Sequence, residues 1–206
     1  MKTVSGGICA PMGFKAAGVR CGIKSSHGGA DGNQPVVPVI KDYMEGKKDL
    51  AKRFFTLLYL FLTRNYEHVE LVFIRHTDNA EEVDEETFFH DPKSGGTVVL
   101  SALELMHDII VERFPSSEWN IYAAQATDGD AFGADAGKSA RYLSENLLPL
   151  TRYFAYIEVL DEDEVRRSSL WVEYERESAP HFAMRRVRER SEIFPVFRDL
   201  FKKELA

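Results

Sequence analysis

Cysteine is nearly missing from this chain: Cys9 and Cys21 are the only two among 206 residues. That excludes a disulfide-built scaffold and a cysteine-rich zinc cluster, because the spacing of the pair fits no zinc pattern and further ligands are not close by. Two free thiols in a reducing compartment is the simpler reading, with a Cys9–Cys21 disulfide as the alternative. Long apolar runs are missing too. The longest candidate, "FFTLLYLFLT" from Phe54 to Thr63, falls well short of the roughly 20 residues that span a bilayer. The N-terminus lacks the basic-then-apolar order of a secretory signal, so a cytoplasmic protein without a membrane partner is expected. Cations are the minority charge, 26 Lys and Arg against 33 Asp and Glu. A net charge of −7 argues against nucleic acid as the main partner. Catalytic signatures are also lacking. There is no Ser-His-Asp order and no CxxC, and "GADAGKS" (Gly133 to Ser139) ends in Gly-Lys-Ser with the wrong preceding glycine spacing for a phosphate-binding loop.

What is present is an ordinary globular composition, 44% hydrophobic and 29% charged, in a chain long enough for one domain with a two- or three-layer core. More than half of the fourteen glycines fall in residues 1–34, which end in "SSHGGADGNQ". That segment has too little apolar surface to order itself, so the domain is expected over residues 35–206. Whether residues 36–41 form its first strand is left open. Beyond them, apolar segments alternate in period. "KKDLAKRFFTLLYLFLTR" (47–64) has Leu50, Phe54, Leu57, Leu58 and Phe61 on one helical face. "HVELVFIRH" (68–76), "WNIYAAQA" (119–126) and "RYFAYIEVL" (152–160) are short buried-strand runs, with "HFAMRRV" (181–187) as a last short strand. Helices are expected over 97–114, 135–150, 162–177 and 191–205. Alternating strands and helices call for an α/β fold, a mostly parallel sheet with helices on both faces.

Ligand sites in such sheets lie at the carboxyl ends of the strands. Three segments gather there: "TDNAEEVDEE", "DPKSGGT" and "TDGDAFGAD". Thr97 stands at a helix start and Asp128 just past a strand. A hydroxyl and a carboxylate from neighbouring loops are hard ligands suited to Mg²⁺ or Mn²⁺. The simpler roles are an N-cap for Thr97 and a turn or capping residue for Asp128. Asp42, Gly95, Gly96 and Asp130 complete the expected rim. His76, His90 and Asp78 are close enough in sequence to consider as a metal cluster, but surface roles are the simpler reading. "EEVDEE" (81–86) reads as a solvated acidic loop, and "RRVRER" (185–190) as a basic run that pairs with acidic neighbours.

From about Met44 onward, "KDLAKRFFTLLYLFL", "VELVFIRHTDNAEEVDEETFF", "SGGTVVLSALELM", "WNIYAAQATDGD" and "IFPVFRDLF" resemble the C-terminal half of the YeaH/YhbH family of bacterial proteins. The resemblance implies a von Willebrand factor A-like fold of Rossmann type, which usually binds a metal at a metal-ion-dependent adhesion site. That site takes an Asp-x-Ser-x-Ser loop, a Thr from a second loop and an Asp from a third. Thr97 and Asp128 match the last two. The first loop does not match. "VIKDYM" puts Val39 to Tyr43 in the places of the Asp and both serines, and if Asp42 is shifted into the site, Met44 and Gly46 stand where serines should be.

One hydroxyl and one carboxylate are too few to outcompete water for Mg²⁺, and Lys41 would add a repelling charge. Weak or no metal binding is therefore expected at this degenerate site, and no cofactor. The family implies a non-enzymatic protein-interaction module of a bacterial stress, stationary-phase or sporulation system, with a serine protein kinase as partner. The contrasting reading is a metal-assisted hydrolase or phosphotransfer enzyme using Asp128 and Asp130, and a third is a decayed domain. Residues 6–24 resemble the opening of the ornithine acetyltransferase family, but its nucleophilic Thr motif is not found, so no site is carried over. These departures imply a truncated, fused or mispredicted gene product.

Overall fold

The structure, a computed structural model, describes residues 34–42, 48–66, 68–76, 79–90, 98–161 and 167–201. The first strand does form: β1 spans Gln34–Asp42 and lies in the middle of the sheet. It does so against local preference, because Pro35 and Pro38 have no N–H to donate and proline is rare in central strands. Apolar burial outweighs that cost. Val36, Val37, Val39 and Ile40 are all buried, and the pairing with β4 simply skips Val37 and Pro38.

The remaining elements follow in order: α1 (Lys48–Asn65), β2 (Glu70–His76), β3 (Ala80–Val83), α2 (Glu85–His90), α3 (Val99–Arg113), β4 (Trp119–Thr127), α4 (Asp135–Tyr142), a π-helical turn (Leu143–Leu147), β5 (Tyr153–Val159), α5 (Ser169–Tyr174), β6 (Phe182–Val187) and α6 (Arg190–Phe201). The six strands form one sheet in the order β3-β2-β1-β4-β5-β6. All pairs are parallel except β2–β3. Successive strand residues point to opposite faces, and each face has its own core. Val37, Val39, Phe73, Ala124, Ala126, Ala155 and Ile157 pack with Phe54, Phe55 and Leu58 of α1, Phe88 of α2 and Phe197 of α6. Val36, Ile40, Val72, Ile74, Ile121 and Tyr156 pack with Leu103 and Met106 of α3, Leu143 and Leu147 of the π turn, and Leu170 and Tyr174 of α5.

Three sequence expectations change. The solvated acidic loop at 81–86 is instead part of β3 and the first turn of α2. Its charges are offset by partners brought from elsewhere, with Arg75 bonded to Glu81 and Arg113 2.9 Å from Glu82. Asp84 supports α2 by accepting the Thr87 N–H at 2.7 Å. The helix expected over 135–150 is α only to Tyr142 and then widens, Leu148 N–H donating to the Leu143 carbonyl at 2.9 Å. The helix expected over 162–177 is helical, among the described residues, only at Ser169–Tyr174. Residues 1–33, where the ornithine acetyltransferase resemblance falls, lie outside the described residues.

The aromatic layer under α1 and α6 carries much of the packing. Phe54 is 1% exposed, with its ring centroid 5.8 Å from that of Phe197 and 6.0 Å from that of Phe55. Phe54→Ala leaves a cavity between two helices and is expected to cost about 3–5 kcal/mol, read as a lower urea midpoint for unfolding.

Candidate functional site

After Asn120, β4 is apolar up to Gln125 and Thr127, and the chain leaves the sheet at Asp128. Thr127 is fully buried, and its Oγ1 accepts the Gly129 N–H at 3.1 Å. Asp128 Oδ1 accepts the Asp130 N–H at 3.2 Å. Asp128 therefore holds its own turn, as an Asx-type residue does, and is half-buried while Asp130 is exposed. Gly129 makes the turn with φ +85°, and a Cβ there would lie 2.3 Å from Ser168 Oγ and 2.5 Å from Glu158 Oε2. Only glycine fits both the backbone and the space.

Below this turn lies a buried polar network. Glu158, near the end of β5, is fully buried and sits in register between Thr127 of β4 and Arg186 of β6. It accepts the Ser168 hydroxyl at 2.5 Å, Arg186 Nε–H at 3.0 Å and the Tyr156 hydroxyl at 3.1 Å. Ser168 also caps α5, its Oγ accepting the Trp171 N–H at 3.0 Å. The Arg186 guanidinium lies 3.9 Å over the Trp171 ring. Tyr174 donates to Gln125 Oε1 at 3.3 Å. Burial above all, then the Glu158 charge, pushes the Tyr156 hydroxyl well above the usual phenol range. Burial likewise raises Tyr174, with the Gln125 hydrogen bond opposing it.

The residues expected from the sequence divide as follows. Asp128 and Asp130 stand at the carboxyl end of β4 as expected. Thr97, Gly95, Gly96 and Asp78 lie outside the described residues. The chain resumes at Val98, and α3 starts beside α4, since Leu100 N–H donates to Asp135 Oδ2 at 3.4 Å. Val98 occupies the N-cap position without a side-chain cap bond. Asp42 is the last residue of β1. It pairs with His76 across to β2, and because Lys41 pairs with Ala126, Asp42 stands level with Thr127. Val39 and Ile40 are inside the strand and buried. The strand register thus makes Asp42, and not Val39, the β1 residue at the carboxyl edge.

Lys41 does not press on the space beside Asp128. Its ammonium bonds the Phe88 carbonyl and lies 4.6 Å from that ring's centroid, on the α1/α2 side. His76 is buried in β2, while His90 is exposed on α2 with Nδ1 3.5 Å from Lys52 Nζ. Among the described residues no group of three or more His, Cys, Asp or Glu is placed to hold a metal. The basic run pairs as expected: Arg185 with Asp199 at 2.5 Å, Arg186 with Glu158, and Arg190 with Asp49 at 2.9 Å. Sequence reasoning missed Glu158 and Ser168. Their signal was a lone carboxylate inside the apolar run "YFAYIEV", which a buried strand tolerates only when it is paired.

Residues 40–204 match the family described as "Protein of unknown function (DUF444)". Relatives include a UPF0229 protein of Bradyrhizobium diazoefficiens, 57% identical over 165 residues, covering 77% of this chain and 39% of the relative. Another, from Thiobacillus denitrificans, is 56% identical over 164 residues, covering 79% and 38%. The chain therefore spans about two fifths of the length of the curated relatives it matches. Among solved structures, the ArnB paralog VWA2 from Sulfolobus acidocaldarius aligns with TM-score 0.53 at 13% identity, covering 81% of this chain and 44% of that one. Proximal thread matrix protein 1 from the mussel byssus gives 0.55 at 13% identity, covering 82% and 47%. At such identities the likeness concerns the fold alone, which is von Willebrand factor A-like.

Two outcomes follow from this geometry. In calorimetric titration with Mg²⁺ or Mn²⁺ the chain should show no binding tighter than about 1 mM, the weak end for oxygen-ligand sites. Met44→Ser with Gly46→Ser, which completes an Asp-x-Ser-x-Ser run from Asp42, should gain affinity; tight binding by the unaltered chain would contradict the incomplete shell. The second concerns alkali. Tyr156 and Tyr174 have folded-state values above the ordinary 10.0. Their contribution to stability is full below about pH 10 and is lost as pH rises from there towards the folded-state values. Urea midpoints should therefore fall steeply above pH 10, and less steeply in Tyr174→Phe.

Proposed function

The chain belongs to the family described as "Protein of unknown function (DUF444)", and from that premise we propose that it is a non-enzymatic protein-interaction module that docks through the carboxyl end of its sheet. One observation carries this reading. The loop after β4 is fastened from below by Gly129, Ser168 and Glu158, yet it holds Asp130 out to solvent. A preorganised rim of this kind suits recognition, because little ordering entropy is lost on binding. The metal shell that would give the rim Lewis acidity lacks both serines, and Asp128 spends one oxygen on its own turn. That weakens the alternative of a metal-assisted hydrolase built on Asp128 and Asp130.

The finer assignment rests on the resemblance to the YeaH/YhbH proteins. On that reading the module is cytoplasmic and bacterial, belongs to a stress, stationary-phase or sporulation system, and has a serine protein kinase as its partner. Because the chain spans about two fifths of its relatives, the activity of the longer proteins is part of the proposal too.

The test uses the purified serine protein kinase of the same genome and the immobilised full chain. Binding is expected, weakened about tenfold, or about 1.4 kcal/mol, by Asp128→Ala and by Asp128→Asn. Equal affinity for both variants would remove the rim from the interface, and no binding would remove the kinase.

A further inference from the structure

α4 packs against both α3 and α5. Ala134, Gly137, Lys138 and Arg141 recur at helical spacing on its outer face and are exposed, while Ala136, Ser139 and Ala140 are buried. Together with Leu100 of α3, Glu173 of α5, Tyr142 and Glu145 they line a groove of about 420 Å³. Gly137 and Lys138 thus belong to a helix and not to a phosphate-binding loop, in keeping with the glycine spacing of "GADAGKS". The fold does not require the glycine. A Cβ at Gly137 would meet nothing within 4 Å, and the described glycines at positive φ are Gly129 and Gly133. Glycine weakens a helix, yet here it leaves the floor of the groove open.

The helix itself leaves the two cations of the groove without partners. Asp135, one turn before Lys138, is turned to the start of α3 and to Ser139, accepting the Leu100 N–H and the Ser139 hydroxyl, each at 3.4 Å. Arg141 and Glu145 are four residues apart, a spacing that pairs on an α-helix, but the π-helical turn starts between them at Leu143. Glu173 bonds Arg176 at 2.5 Å. Among the described residues neither Lys138 nor Arg141 forms an ion pair or a side-chain hydrogen bond.

Two cations one turn apart match the double charge of a phosphate monoester, the lysine as a point charge and the arginine as a fork. A long acidic segment fits less well, because Glu145 and Glu173 also line the groove and would repel it. A free small molecule fits less well too. Such sites bury most of their ligand, and this groove lies along an exposed helix face.

We infer that the groove binds a phosphorylated serine or threonine side chain of a protein segment. The phosphate lies over Gly137 between Lys138 and Arg141. Glu145 stands about 8 Å further along the helix axis than the midpoint of the two cations, a distance that two or three residues of extended chain span. A lysine or arginine that far from the phosphorylated residue completes the fit. The inference goes beyond the docking reading above and does not rest on it.

Three randomised peptide libraries, with phosphoserine, serine or glutamate fixed at the centre, are passed over the immobilised full chain. Retained peptides are sequenced, synthesised and titrated. The phosphoserine library is expected to be retained above the other two, with Lys or Arg selected two or three residues from the centre. Affinity for the best peptide should fall about tenfold in Lys138→Gln and in Arg141→Gln. Gly137→Leu sends its side chain into open space, so the core is kept, which circular dichroism checks; by filling the groove it should remove binding. Glu145→Gln should weaken the selection for Lys or Arg. Equal retention of the three libraries, glutamate retained as well as phosphoserine, or affinity indifferent to Gly137→Leu or Arg141→Gln would overturn the inference. So would free O-phosphoserine binding as tightly as the peptide, which would mark a small-molecule site.

Discussion

A buried carboxylate sets the shape of the carboxyl end of this sheet. Glu158 has no exposure, and its oxygens are shared by Arg186, Ser168 and Tyr156. A charge removed from water is tolerated only when paired and hydrogen-bonded, and removing one partner of such a pair costs about 3–5 kcal/mol. The three partners come from β5 itself, from β6 and from the cap of α5, so one group ties two strands to a helix. The Gly129 turn then rests on this cluster without room for a single added carbon. The turn that carries Asp128 is held by that contact.

The opposite side of the edge is governed by β1. Its prolines weaken its ladder to β4, yet four buried aliphatic residues hold it in the middle of the sheet. The strand continues to Asp42, and the place where it ends decides which residue can approach a ligand. The fold persists although the oxygen ligands expected after β1 are not in the sequence. Packing on the two faces and ligand chemistry at the edge are thus separable: the first depends on apolar period and the second on a few exposed side chains.

The family relationship and the architecture support each other on different grounds. The family match covers residues 40–204 and is carried by sequence identity. The likeness to a solved von Willebrand factor A-like structure is one of overall fold, at 13% identity. Neither names a partner for this chain.

Strand and helix types were legible from the sequence because apolar period reports which face is buried, and β2, β4, β5, α1 and α6 fall where that period places them. Asp128 and Asp130 were legible because they end an apolar run. β3 was not, since a strand written Ala-Glu-Glu-Val has no apolar period and depends on Arg75 and Arg113 brought from elsewhere. Glu158 left a trace as the lone carboxylate of "YFAYIEV", but its partners Ser168 and Arg186 come from other segments. Sequence alone determined the α/β class and the missing serines. Only the tertiary structure decided that Asp42 stands at the edge, that Lys41 turns away to Phe88, and that Lys138 and Arg141 line one groove with Glu173, because register and contact belong to pairs of segments and not to any one of them.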